Sequence, residues 1–85
     1  MRRDPDYFGD DELRLIYVAR KLKDALRLEE WLTGLGVEYL VETDTYAVGL
    51  VFRAKRVGAF FYVAPSADAA AREALRQGGF TPHQQ

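Results

Sequence analysis

The order of apolar patterns along the chain predicts an α+β domain, with two helices set between strands of one sheet. Two runs, 13–20 and 59–63, are dense in β-branched and aromatic residues, which fit a pleated surface. Two others, 24–35 and 67–75, repeat their apolar residues every three or four positions, as amphipathic helices do. The 85 residues are 48% apolar, which supplies one packed core and leaves no length for a second.

The N-terminal half of the chain reads as a tail, a strand and a helix. Residues 1–12 contain Pro5, Gly9 and many acidic groups, so we predict a flexible tail there. Residues 13–20 form the first strand. In the helix that follows, Asp24 is the predicted N-cap and Gly36 ends the helix in a left-handed conformation.

The following segment holds the remaining strands. Residues 37–43 predict a second strand, ended by a turn at Asp44 and Thr45. Residues 46–58 allow two interpretations: a long third strand that starts at 50–53, or a small hairpin that turns at 54–56. The strand at 59–63 is stopped by Pro65, which cannot donate to a ladder.

A second helix is expected to complete the fold. Ser66 is its predicted N-cap, Asp68 lies in the first turn, and Gly78 and Gly79 end it. Phe80 is predicted to return to the core, and residues 81–85 are predicted to form a flexible tail.

The resulting order is β-α-β-β-α, with room for a short last strand. Right-handed crossovers and one-sided helix packing then give a ferredoxin-like two-layer sandwich. We expect an antiparallel sheet with both helices on one face, in a single domain that spans residues 13–80.

The sequence offers little for catalysis or metal binding. It has no cysteine, and its one histidine, His83, lies in the predicted C-terminal tail, where a general base would not be held in place. Glu29 and Glu30 are sequence neighbours and do not face each other on a helix. We therefore expect a protein that is not an enzyme and has no cofactor and no metal.

Charge and hydropathy bear on partners and location. The net charge is −1, so no overall field favours nucleic acid or an anionic membrane. No apolar run is long enough to span a bilayer, and the absence of cysteine fits a reducing compartment. We expect a cytoplasmic protein without membrane contact.

Strand alternation predicts which aromatic side chains lie on the sheet face away from the helices. If Ile16 and Val18 point toward the helices, Tyr17 points away. In the last strand Phe61 and Val63 are assigned to the core. The remaining aromatic residues of this face are Phe60 and Tyr62, joined by either Tyr39 or Leu40.

An apolar sheet face of this kind is unusual in a monomer. It favours a homodimer through the sheet, a stacked small ligand, a protein partner or single-stranded nucleic acid. Alternatively, the segment 44–57 or the aromatic pair Tyr7 and Phe8 folds over it. A basic cluster lies close by in sequence and consists of Arg53, Lys55 and Arg56.

The stretch from residue 13 to about residue 78 resembles a family of small bacterial domains of unknown function that are described as signal-transducing. The resemblance rests on the strand at 16–19, on WL at 31–32 with LGVE at 35–38, and on YVAP at 62–65 with the alanine-rich helix behind it. The family's ferredoxin-like fold is similar to that of the nitrogen-regulatory signal proteins. The resemblance implies a regulatory role and no catalytic residue.

Two shorter stretches resemble RNA-recognition domains. Residues 16–20 (IYVAR) are similar to their first-strand motif, with Tyr17 as the stacking aromatic. Residues 56–61 (RVGAFF) partly match their third-strand motif, with Phe60 in a stacking position and Val57 where glycine is expected. This resemblance implies single-stranded RNA binding that also uses the basic cluster.

These observations together favour a non-enzymatic binding or regulatory module that self-associates through an aromatic open sheet face. Single-stranded RNA binding is the alternative. The predicted face and its basic flank consist of Tyr17, Phe60, Tyr62, Arg53, Lys55 and Arg56.

Overall fold

The computed structural model describes residues 1–48 and 54–83. These residues form one three-stranded antiparallel sheet and two α-helices, which confirms the α+β class. The strands are β1 (Arg14–Ala19), β2 (Leu40–Val48) and β3 (Ala54–Val63), and their order in the sheet is β1-β3-β2. The helices are α1 (Leu22–Gly34) and α2 (Asp68–Gln77), and 3-10 turns lie at Pro5–Phe8 and Pro65–Ala67.

Strands β2 and β3 form a long hairpin that extends past the end of β1. Strand β1 ends at Ala19, opposite Ala59 of β3, whereas β2 and β3 stay paired as far as Val48 and Ala54. The predicted turn at residues 44–45 is wrong, because Asp44 pairs with Gly58 within this ladder. The alternative hairpin turn at 54–56 is also wrong, since those residues lie inside β3. The segment 50–53 lies outside the described residues.

A β-bulge in β1 changes the face on which its later residues lie. Leu15 is paired with Tyr62, but the next paired residue is Tyr17, opposite Phe61. Ile16 is therefore an extra residue in β1, and the alternation of faces shifts by one position after it. Tyr17 lies on the helix side of the sheet, and Val18, opposite Phe60, lies on the other side.

The core lies between the sheet and the two helices, which share one hydrophobic cluster. At its centre Phe61 is fully buried, with its ring centroid 6.4 Å from that of Tyr17 and 5.8 Å from that of Tyr39. The predictions that Phe61, Val63 and Phe80 belong to the core are confirmed. The fully buried aliphatic members of the cluster are Ile16, Leu28, Leu32, Val63 and Leu75.

The Tyr39 phenol is a polar group carried by a buried core residue. Its hydroxyl donates to the Glu29 carbonyl at 3.3 Å and lies 3.2 Å from Thr33 Oγ1. Burial raises the pKa of Tyr39 above its ordinary value, so the phenol stays neutral and its hydroxyl keeps a proton to donate. These partners satisfy a polar atom that would otherwise be costly to bury.

Helix α1 begins earlier than the sequence predicts and ends as predicted. Its N-cap is Lys21, and Asp24 lies inside the first turn, 3.8 Å from Arg27 in an exposed ion pair. At the other end Gly36 has φ +75°, and the amide of Val37 donates to the carbonyl of Leu32. This is the left-handed glycine ending that the sequence indicates.

The second helix is held against the first by an indole. Trp31 Nε1 donates to the Ala74 carbonyl at 2.7 Å. A Cβ atom on Gly78 would lie 2.6 Å from the same nitrogen, so only glycine fits there without moving the indole. Helix α2 begins at Asp68 with Ala67 as its N-cap, so the predicted N-cap Ser66 is wrong: it lies inside the preceding 3-10 turn.

Arg72 and the C-terminal segment donate hydrogen bonds to two backbone carbonyls at the bulge in β1. Arg72 donates to the Leu15 carbonyl at 3.0 Å, to the carboxylate of Asp68 at 2.9 Å, and to the carbonyl of His83. The amide of His83 donates to the carbonyl of Ile16. The segment 81–83, part of the predicted flexible tail 81–85, therefore follows the outer edge of β1. Its flexibility, like that of residues 1–12, stays a prediction.

No helix within residues 1–48 and 54–83 is long and apolar enough to cross a membrane.

Candidate functional site: the open face of the sheet

The side of the sheet opposite the helices, called here the open face, carries two rows of paired residues. In the first row Leu15, Tyr62 and Leu40 lie side by side on β1, β3 and β2. The second row runs across the same strands and consists of Val18, Phe60 and Glu42. Five of these six side chains are apolar, so the face presents a nearly continuous apolar surface with one carboxylate on the β2 side.

Close cross-strand packing limits how much of each side chain meets water. Side chains directly opposite on neighbouring strands stand about 5 Å apart and shield one another. Phe60 and Tyr62 are half-buried, and Leu40 is only 6% exposed. Leu13 joins the first row and lines a shallow depression with Leu40 and Tyr62. The face therefore offers partly exposed apolar side chains around one shallow depression.

The structure corrects one predicted member of this face and settles another. The prediction that Tyr17 lies on the open face is wrong, because the bulge at Ile16 turns its ring toward Phe61 and Phe80. Of the two candidates near β2, Leu40 lies on the open face and Tyr39 is buried in the core. Strict alternation missed Val18, and no local sequence signal marks the bulge.

The predicted basic cluster lies apart from these rows. Lys55 and Arg56 belong to β3, where they pair with Ala47 and Tyr46 in the part of the hairpin beyond β1. Arg56 is four residues from Phe60, which corresponds to about 13 Å along a strand. Arg53 lies outside the described residues.

Tyr17 and Phe60 do contribute to a common groove, at the outer edge of β1. It has a volume of about 530 Å³ and runs between the strand and the C-terminal segment. Arg20 and His83 line it as well, so the histidine is exposed at the rim of this groove. Its remaining lining residues are Val18, Gly79, Phe80 and Thr81.

Two segments are predicted above as alternative covers of the open face, and the structure describes the first of them fully and the second in part. Tyr7 and Phe8 lie beside Ala67 and Ala71, at the start of α2, and do not lie over the open face. The other proposed cover, the segment 44–57, contributes its two ends to the hairpin, and residues 49–53 of it lie outside the described range.

The chemistry of the open face is apolar contact. The side chains in the described part of the chain whose pKa values are clearly shifted, Arg3, Glu38 and Tyr39, belong to the edge of β2 and to the core. Within the same residues no group of His, Asp or Glu is arranged to hold a metal ion. Comparison of the chain with protein families, curated proteins and solved structures gave no match.

Proposed function

We propose that the chain is a non-enzymatic binding module that self-associates through the open face, as a homodimer of two packed sheets. The observation that carries the proposal is the pair of rows in which Leu15, Val18, Leu40, Phe60 and Tyr62 form one apolar surface opposite the helices. Apolar faces of sheets pack on each other about 10 Å apart, with their side chains interdigitated.

A two-fold axis parallel to the strands is the symmetry that suits this face. This axis places β3 over β3 of the second copy, so that the aromatic side chains of the two copies face each other. It also places β1 of each copy over β2 of the other. Arg20 follows β1 and lines the same groove as Val18 and Phe60, whereas Glu42 closes the row on the β2 side. A guanidinium of one copy thereby comes within reach of a carboxylate of the other.

The size of the face sets the expected strength of the dimer. Three strands about 4.8 Å apart and five residues long cover on the order of 250 Å² per copy. Stable interfaces bury about 800 Å² on each partner. We therefore expect a weak dimer that dissociates in the micromolar range.

Replacing Phe60 with lysine is expected to weaken self-association at least tenfold, because an ammonium group would be buried between the two sheets. The matched control is Leu26→Lys, which adds the same charge at a 55% exposed leucine on α1. Sedimentation equilibrium over a concentration series measures both constants. A wild-type chain that stays monomeric, or an equal loss in the Leu26→Lys variant, would refute the proposal.

A ferredoxin-like topology is part of the same proposal. In this sheet β3 lies between β1 and β2, so a further strand cannot pair with β3. A strand that follows α2 and runs parallel to β3 must therefore pair with the outer side of β1 or of β2. The bond from the His83 amide to the Ile16 carbonyl supports the β1 side. A regulatory role, which the family resemblance implies, and a cytoplasmic location, which fits the absence of cysteine, also belong to the proposal.

Single-stranded RNA binding is the weaker of the two proposals. A stacking platform needs aromatic rings that are open to bases, and Tyr17 instead packs on Phe61 and Phe80. Phe60 remains on the open face, but the backbone of the basic residues lies further along the hairpin. RNA binding that weakens steeply with salt would favour this alternative.

A further inference from the structure

The first residues of the chain bond to the backbone just before β2, through a single parallel bridge. The amide of Arg3 donates to the carbonyl of Tyr39 at 2.8 Å, and the amide of Tyr39 donates to the carbonyl of Met1 at 3.0 Å. Arg2 and Tyr39 thereby form a parallel bridge just before β2 begins. Residues 1–8 are called here the N-terminal segment.

Two ion pairs hold the side chains of this segment. The guanidinium of Arg3 bonds both carboxylate oxygens of Glu38, at 2.5 and 3.3 Å, and Arg2 lies 3.5 Å from Glu29. The bond from Arg3 lowers the pKa of Glu38, so this carboxylate is charged at neutral pH. Glu29 of α1 and Glu38, just before β2, thus present two acidic groups to the basic N-terminal segment.

An aromatic side chain anchors the other end of the segment. Phe8 is 8% exposed and lines a groove with Val37, Ala67 and Ala71. Phe8 is not a member of the main core cluster. The groove keeps an open volume of about 640 Å³ beside the ring, so the segment fills it incompletely.

The link between this segment and β1 makes the segment separable from the domain. Residues 9–12 are all exposed, and no residue of the N-terminal segment belongs to the core cluster. Release of the segment would leave the amide and carbonyl of Tyr39 unpaired on a strand edge. Unpaired edges of this kind accept extended peptides by strand addition.

We infer that the surface beneath the N-terminal segment is a peptide-docking groove, which the chain's own segment covers. The partner that fits it is a segment of another protein that is extended where arginine or lysine lies opposite Glu29 and Glu38, and that then turns, as Pro5–Phe8 does, to place an aromatic residue about five positions later. The groove lies at the edge of β2 and is separate from the open face, so the inference does not rest on self-association.

The covering segment competes with any partner at a high effective concentration. A short flexible tether holds a covalently attached ligand at about millimolar concentration. A peptide identical to the segment therefore binds the wild-type chain only weakly. Substitutions that weaken the segment should expose the groove and raise the peptide's apparent affinity.

The test uses the full chain and a capped, fluorescein-labelled peptide with the sequence of residues 1–8, followed by fluorescence anisotropy. The double variant Arg3→Ala, Phe8→Ala is expected to bind this peptide at least tenfold more tightly than the wild type does. Its own segment has lost an ion pair and its anchor, whereas the peptide retains both.

Two further substitutions in that variant locate the site. Glu38→Arg is expected to remove the gain, because it places a cation opposite the arginine of the peptide. The matched control, Glu73→Arg, adds the same charge on the exposed side of α2 and should leave the gain intact. A double variant that binds no more tightly than the wild type, or an equal loss from both charge reversals, would overturn the inference.

Discussion

Replacing Phe61 with alanine is expected to lower the free energy of unfolding by about 3–5 kcal/mol, the usual loss for a fully buried phenylalanine. Phe61 is 0% exposed and packs between the rings of Tyr17 and Tyr39. Small domains have about 5–15 kcal/mol of stability in total, so this one change removes a large part of it.

The neighbouring residue provides the control for this prediction. Phe60→Ala makes the same chemical change on the open face and is expected to cost less than about 1.5 kcal/mol, since the ring is only half-buried. Urea unfolding followed by circular dichroism measures both losses. Equal losses, or a larger loss for Phe60, would mean that β3 presents its other face to the helices.

An aspartate at position 17 is expected to cost about 2–3 kcal/mol, since a half-buried aromatic ring loses its packing. The ring of Tyr17 makes edge-to-face contacts with Phe61 and Phe80, at centroid distances of 6.4 and 5.6 Å. Tyr17 is half-buried and also lines the groove at the edge of β1, so the main cost of the aspartate is the lost packing of the ring, to which partial desolvation of the carboxylate adds.

The comparison with Val18→Asp tests the bulge itself. Val18 lies on the open face, so in the monomer, at protein concentrations below the dissociation constant of the dimer, its aspartate stays hydrated and costs about 1 kcal/mol through lower strand propensity. Thermal unfolding of both variants gives the order of stability. If the Val18 variant were the less stable one, β1 would follow plain alternation and Tyr17 would lie on the open face.

Local rules predicted the elements whose signals lie within a few residues. The spacing of Leu28 and Leu32 and the glycine at position 36 placed the core side and the end of α1, and alternation in β3 assigned Phe61 and Val63 to the core. Each of these features depends on side-chain period or on one backbone conformation. Both can be read from the sequence itself.

Long-range pairing decided the features that the sequence could not show. The bulge at Ile16 depends on how β1 aligns with β3. The backbone carbonyls of Leu15 and Ile16 accept hydrogen bonds from Arg72 and from the amide of His83, which lie more than 50 residues away. The turn expected at residues 44–45 became part of β2 because β3 pairs with it there.

The N-terminal segment shows the same dependence on distant residues. Its proline, glycine and acidic residues suggested a tail outside the domain. It is held instead by backbone hydrogen bonds to Tyr39, by two ion pairs and by the packing of the Phe8 ring. Its partners in the hydrogen bonds and ion pairs lie about 30 residues further along the chain.

The most direct test of the open face as a self-association surface is an isotope-filtered NOE measurement on a mixture of labelled and unlabelled wild-type chains. We expect intermolecular contacts between the rings of Phe60 and Tyr62 and the methyl groups of Leu15 and Leu40. Contacts confined to exposed leucines of α1, such as Leu26, or no intermolecular contact at millimolar concentration, would contradict the proposed function.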